Sequence, residues 1–199
     1  MKDFRQVTAL FGGSFDPVHE GHLHVATELR KALPLIEQFI FVPASQSPGK
    51  APPLASIEQR LAWLRMTVQP AGFEVWDTEL QRKGESFTVD TLEQAHLLGA
   101  VREKLFLILG FDAYRGLSRW KNPSRIRELC RLLVVNRSGE IGVTAQHDDL
   151  FVPIPPHPAS SSEIRAQLAS GSSATCLPAP VRAELEKLLP LHNPYVRKI

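Results

Sequence analysis

Apolar positions in this chain fall into two kinds of run that alternate from end to end. Residues 7–11, 39–42, 105–109 and 132–135 are short, nearly unbroken apolar runs, the pattern of strands buried on both faces of a parallel sheet. Between them apolar residues recur at helical spacing: Leu23, Ala26, Leu29, Ala32 and Leu33, then Ile57, Leu61, Leu64 and Val68, then Leu92, Ala95 and Leu98. Ser56 and Gln59 stand at capping-box spacing ahead of the second of these, and Pro70 ends it. Weaker signals predict short strands over 73–76 and 151–154, the latter at a sheet edge because of Pro153. They also predict an exposed charged turn over 79–85 and helices over 87–98, 113–117, 160–171 and 180–189. The tail over 190–199 is expected to pack against the rest and close it.

Strands alternating with helices define a doubly wound α/β fold around a parallel sheet with right-handed crossovers. The 199 residues suit a single domain over 1–199, with helical closure from about residue 160. The first residues run into a strand instead of an apolar leader, and no stretch approaches membrane-spanning length, so a cytoplasmic protein without a membrane partner is expected. A net charge of +2 is too small to imply nucleic acid, although Arg115, Arg119, Lys121, Arg125, Arg127, Arg131 and Arg137 face one acid, Glu128. Cys130 and Cys176 form neither a C-x-x-C pair nor a zinc spacing. No coiled-coil seam marks an interface between copies, and the oligomeric state stays open.

Candidate chemistry concentrates between the first strand and the first helix, in Gly12-Gly13-Ser14-Phe15-Asp16-Pro17-Val18-His19-Glu20-Gly21-His22. A helix start offers free N–H groups and the positive end of the helix dipole, and glycines let backbone approach an anion, so the stretch suits phosphate. His19 and His22, three residues apart, point to one side of a helical turn and can donate to phosphate oxygens as charge grows on them. There is no G-x-G-x-x-G, and Gly49-Lys50 lacks the Walker spacing, so hydride carriers and P-loop hydrolases lose ground. A second helix start, Ser160-Ser161-Ser162-Glu163-Ile164-Arg165, has Ser160 and Glu163 at capping-box spacing. Three serines with an arginine one turn inside also make a cradle for a triphosphate.

Other candidates are less specific. Gly110-Phe111-Asp112 ends the strand over 105–109, where the carboxylate can take ribose hydroxyls or cap a helix. Ser86 and Thr88 stand at a helix start, where hydroxyls usually cap. Lys50, in the proline-rich loop over 44–55, fits a phosphate contact or a plain surface lysine. Trp120 either stacks on a heteroaromatic ring or packs at the domain edge.

The first stretch resembles the G-x-F-D-P-x-H-x-G-H signature of the nucleotidyltransferase superfamily, fitted without a gap by Gly13 to His22. Residues 159–165 resemble its second signature, I-S-S-T-x-I-R, with Ala159 and Ser162 in place of the first isoleucine and the threonine. Ser86-Phe87-Thr88-Val89-Asp90-Thr91-Leu92 is similar to S-Y-T-x-x-T-L, Gly110-Phe111-Asp112 to G-x-D, and Trp120 to a ring-stacking tryptophan of the nicotinate-nucleotide adenylyltransferase family. The resemblance implies a Rossmann-like fold and in-line transfer of AMP from ATP to nicotinate mononucleotide, releasing pyrophosphate, in NAD biosynthesis. It also implies catalytic roles for His19, His22 and Arg165. Gly12, Gly13, Ser14 and Phe15 would hold nucleotide phosphate or ribose, Gly110 and Asp112 the adenosine ribose, and Ser161 and Ser162 the ATP phosphates. Thr88, Phe87, Trp120 and Lys50 would line the mononucleotide side, with Thr88 at the nicotinate carboxylate and Trp120 on the pyridine ring. Mg²⁺ would arrive mainly on ATP, with no protein metal site and no nucleic-acid partner.

Three positions depart from the family pattern. Ser47-Pro48-Gly49-Lys50 replaces P-P-H-K, Phe87 replaces a tyrosine, and Lys121 stands where some members carry a second aromatic. The alternatives are adenylylation of nicotinamide mononucleotide, use of both acceptors, or a non-catalytic nucleotide- or RNA-binding module built on the basic stretch around Trp120.

Overall fold

In the computed structural model, which describes residues 2–82, 84–136, 148–188 and 193–196, six parallel strands form one sheet. In chain order they are β1 (Thr8–Gly13), β2 (Gln38–Pro43), β3 (Glu74–Val75), β4 (Leu105–Gly110), β5 (Arg131–Asn136) and β6 (Leu150–Pro153). Their spatial order is β3-β2-β1-β4-β5-β6, all neighbours parallel, which is the doubly wound arrangement. The helices are α1 (Glu20–Ala32), α2 (Ile57–Val68), α3 (Thr88–Leu97), α4 (Phe111–Arg115), α5 (Pro123–Leu129), α6 (Ser161–Ala169) and α7 (Ala179–Leu188).

Side-chain alternation along the strands sorts the core into two layers. Ala9, Phe39, Phe41, Phe106, Ile108, Leu133 and Val135 pack with Val25 and Leu29 of α1, Trp63 and Leu64 of α2, Ile164 of α6 and Val181 of α7. Leu10, Ile40, Val42, Leu105, Leu107, Leu109, Leu132 and Val134 pack on the other face with Leu92 of α3, Tyr114 of α4 and Ile126 of α5. Runs buried on both faces therefore read as continuous apolar sequence. β6 lies at the edge, as Pro153 predicts. Among the described residues no helix is long and apolar enough to cross a membrane.

Several local expectations change. β1 runs through both glycines, because Gly12 and Gly13 still pair with Val42 and Pro43, so the turn begins at Ser14. The first helix opens at Glu20, which puts His22 inside its first turn and His19 at the N-cap. Asp112 is not the N-cap of its helix; Gly110 is, and α4 spans Phe111–Arg115 instead of 113–117. Ser160 is the N-cap of α6 but its side chain makes no cap bond, so the expected box with Glu163 is not formed. By contrast, Ser56 and Gln59 close both bonds of theirs, at 2.9 and 3.2 Å.

Buried polar groups account for two further differences. The apolar stripe over α2 places Ile57 and Leu61 inward, yet the buried face is Arg60, Trp63, Leu64, Thr67 and Val68. Glu79, assigned to an exposed turn, is 7% exposed. It accepts the Thr91 hydroxyl at 2.5 Å, and Thr91 in turn accepts from Arg82. Burial pushes the Glu79 carboxyl above its ordinary value, against the lowering effect of the Thr91 hydrogen bond and Arg82.

Candidate active site

β1 and β4 are neighbours, and the helices that follow them leave on opposite faces, α1 into one core layer and α4 into the other. The strand order reverses here, which leaves a crevice outside the carboxyl ends of the two strands. Gly12 and Gly110 stand at its two sides, and a Cβ added to either would meet no atom within 4 Å. Both glycines therefore face open space. Gly13 is different, because a Cβ there would come within 3.0 Å of the Phe15 ring.

Phe15 adopts φ 47°, a left-handed conformation that costs a non-glycine residue energy. Its ring is 2% exposed and packs edge-on against His22, with centroids 4.9 Å apart. The His19 and His22 rings stack at 3.8 Å and 29°. The His19 amide N–H donates to Nδ1 of His22 at 3.2 Å, so neutral His22 carries its proton on Nε2. Gly21 makes this packing possible, since a Cβ there would lie 3.0 Å from Nδ1 of His19 and 3.2 Å from Cβ of Ala159.

Two arginines hold the loops around the histidines. Arg60, 1% exposed, donates to the carbonyls of Ser14 and Ala44, both at 2.7 Å, and of Ser45 at 3.2 Å. Burial lowers its guanidinium from the ordinary value, and the Asp16 charge opposes that. Arg165 donates Nη1 to the Asp16 carbonyl at 2.8 Å and Nη2 to Oγ of Ser162 at 3.3 Å. The two phosphate-like motifs thus meet through one guanidinium, Asp16 and Arg165 being 149 residues apart in sequence.

Asp16 is the hub beneath them. Its carboxylate accepts the amides of Leu54 at 2.8 Å and Ala55 at 3.1 Å, and the Tyr195 hydroxyl at 3.1 Å. Ser14 shares a hydroxyl hydrogen bond with Ser47 at 3.0 Å. Ser86 accepts the Ser45 amide at 3.0 Å, and its own amide donates to the Gln46 carbonyl, so Ser86 ties two loops together instead of capping α3.

The remaining candidates scatter around this centre. Ser161 and Ser162 form the first turn of α6, the latter exposed, and Asp112 is exposed in the first turn of α4. Thr88 opens α3 and Phe87 is its N-cap, with Nζ of Lys121 4.6 Å over the Phe87 ring and 2.9 Å from Asp90. Trp120 is half-buried and packs against the core layer of α3 and α5. Lys50 is exposed at the tip of its loop, where Gly49 donates to Glu85 at 3.3 Å. Among the described basic residues of the 115–137 stretch, Lys121, Arg125 and Arg127 pair with Asp90, with Glu93 and Glu128, and with Asp149. Among the described residues no cluster of three His, Cys, Asp or Glu side chains is placed to hold a metal ion.

Arg60, Glu79, Ser47 and Tyr195 lie outside the set expected from the sequence. An arginine and a threonine at helical spacing with Trp63 and Leu64 were the local sign of the first.

A crevice at the strand reversal, glycine-lined and flanked by two helix starts with imidazoles and a guanidinium, defines a nucleotide-binding transferase of the α/β class. The cytidylyltransferase-like family model matches residues 10–167, from β1 into α6. A probable nicotinate-nucleotide adenylyltransferase of Dehalococcoides mccartyi is 32% identical over 204 residues, covering 96% of this chain and 98% of that protein. One of Thermus thermophilus is 38% identical over 180 residues, covering 89% and 95%. Among solved structures, Plasmodium falciparum nicotinic acid mononucleotide adenylyltransferase complexed with NaAD shares the fold, with a TM-score of 0.75, 16% identity and coverage of 94% and 98%. The chain belongs to the nicotinate-nucleotide adenylyltransferase family within the cytidylyltransferase-like group.

Proposed function

We propose that this chain, acting as one domain over residues 1–199, transfers AMP from ATP to nicotinate mononucleotide, giving deamido-NAD and pyrophosphate. The observation that carries the reading is the meeting of the two helix starts, with the His19–His22 pair at one and Arg165 of the other bonded to Asp16. In this reading a mononucleotide phosphate oxygen attacks the α-phosphorus of ATP in line and no covalent enzyme intermediate forms. The protein positions the reactants and stabilises charge. Nε2–H of His22, with His19 beside it, donates to phosphate oxygens at the reacting centre. Gly12, Gly13, Ser14 and Phe15 give backbone access to the nucleotide phosphate or ribose. Gly110 and Asp112 take the adenosine ribose, and Ser161, Ser162 and Arg165 take the β and γ phosphates. Arg165 would exchange its carbonyl partner for phosphate, a stronger acceptor.

On the acceptor side, the amides and hydroxyl at the start of α3, at Thr88, receive the nicotinate carboxylate. Phe87 and Trp120 flank the pyridine ring, and Lys50 reaches the mononucleotide phosphate. The donors around the crevice are imidazoles, hydroxyls and cations, which suit phosphate oxygens, while the Asp16 carboxylate is already taken by two amides and a phenol. Mg²⁺ would accordingly be held by ATP oxygens and water, where it offsets phosphate charge. Free Cys130 and Cys176 and the use of ATP fit a cytoplasmic protein.

The test is pyrophosphate release from ATP and Mg²⁺ with nicotinate or nicotinamide mononucleotide at equal concentrations. A strong preference for the acid is expected. Equal rates would make the acceptor site non-selective, and no release with either would defeat the reading.

A further inference from the structure

Residues 193–196 bring a buried side chain, Tyr195, into the core. Asn193 donates Nδ2 to the Leu168 carbonyl in the last turn of α6 at 2.9 Å and accepts the Tyr195 amide on Oδ1 at 2.9 Å. That turn aims Tyr195 inward. Tyr195 is 3% exposed and belongs to the core layer that includes Ile164, Leu168 and Val181, and its hydroxyl meets Oδ1 of Asp16 at 3.1 Å. Arg165, from the middle of α6, grips the carbonyl of the same Asp16 at 2.8 Å. Asp16 is thus held from both of its polar ends by elements that belong to α6 or are anchored on it. Burial beside the Asp16 carboxylate pushes the Tyr195 phenol above its ordinary value, so it stays a donor.

We propose that Tyr195 is a positioning residue for ATP: its hydroxyl, held on Asp16, keeps the helix that carries Ser161, Ser162 and Arg165 in register with the loop that carries His19 and His22. The inference rests on the adenylyl-transfer reading for the identity of the ligand. It does not rest on turnover. Asn193 and Tyr195 touch α6 and Asp16, whereas the start of α3 is tied by Ser86 to the loop at Ser45 and Gln46; Asp16 also holds the far end of that loop through the Leu54 and Ala55 amides, and those two bonds remain when the Tyr195 hydroxyl is lost. Loss of the hydroxyl therefore loosens the ATP half and spares the acceptor half.

Tyr195→Phe keeps the ring and removes only the donor. The dissociation constant of a non-cleavable ATP analogue with Mg²⁺ should rise at least about tenfold, the scale of one lost buried hydrogen bond to a charged group. That of nicotinate mononucleotide should change less than about twofold. In an Asp16→Ala background, which leaves the phenol no acceptor at that position, the same Tyr195→Phe change should add less than about twofold, because the two act through one contact. An unchanged analogue constant, or equal weakening of both ligands, overturns the proposal. Should the Asp16→Ala chain fail to fold, the ratio of the two constants in Tyr195→Phe decides alone. Pyrophosphate release by the wild-type chain is measured alongside. Its absence defeats the adenylyl-transfer reading, while the binding ratio still tests Tyr195.

Discussion

Nδ1 of His22 accepts the backbone N–H of His19 at 3.2 Å, so one imidazole is oriented by the amide of the other. The hydrogen bond directs Nε2–H of His22 away from the helix and keeps it a donor in the neutral form. His22→Ala should lower kcat at least ~100-fold while ATP still binds, the scale of a lost transition-state donor. Single-turnover rates set beside ATP binding constants check this, and near-wild-type turnover would remove His22 from the mechanism.

Two glycines of the opening stretch should respond in opposite ways to the same substitution. Gly12→Ala adds a methyl group where no protein atom lies within 4 Å, so stability should stay within about 0.5 kcal/mol of wild type. The methyl group occupies space assigned to the nucleotide, and KM for ATP should rise about tenfold. Gly21→Ala pushes on the His19 ring at 3.0 Å and on Ala159 at 3.2 Å, and should cost about 1–3 kcal/mol as well as turnover. Denaturant melts and steady-state kinetics on both variants separate the two effects.

Glu79 makes stability depend on pH in a stated direction. Its carboxyl is raised by burial above the ordinary 4.5, so folding favours the protonated form. Its contribution is full below 4.5 and is lost as the pH rises through the folded value. Glu79→Gln keeps an acceptor for the Thr91 hydroxyl and removes this titration. Relative to wild type the variant should gain stability as the pH rises above 4.5. Denaturant midpoints that track each other at every pH would contradict it.

The strands and the helix starts were legible because their signals are local. Apolar runs such as 105–109 need no partner to be read, and Ser56 with Gln59 states its own geometry. Ser160 with Glu163 has the same spacing and forms no box, so spacing alone does not decide whether a cap closes. Arg60 escaped because an arginine on a helix reads as solvent-facing. It is buried only because three carbonyls, from two loops that the fold brings together, converge on it. Glu79 escaped for the same reason, its partners Thr91 and Arg82 being meaningful only after α3 has docked. The two motifs were visible separately. Their meeting at Asp16 depends on the sheet order, which no local pattern encodes.

The strand order has one more consequence. The terminal positions of the sheet go to β3, only two residues long, and β6, which ends in a proline that has no N–H to offer. A long flat strand in either place would template pairing with another chain, and these two do not. The aggregation hazard of an open sheet is thus kept low by the strands placed at its margins, while the long sticky runs of β1, β2, β4 and β5 stay between neighbours.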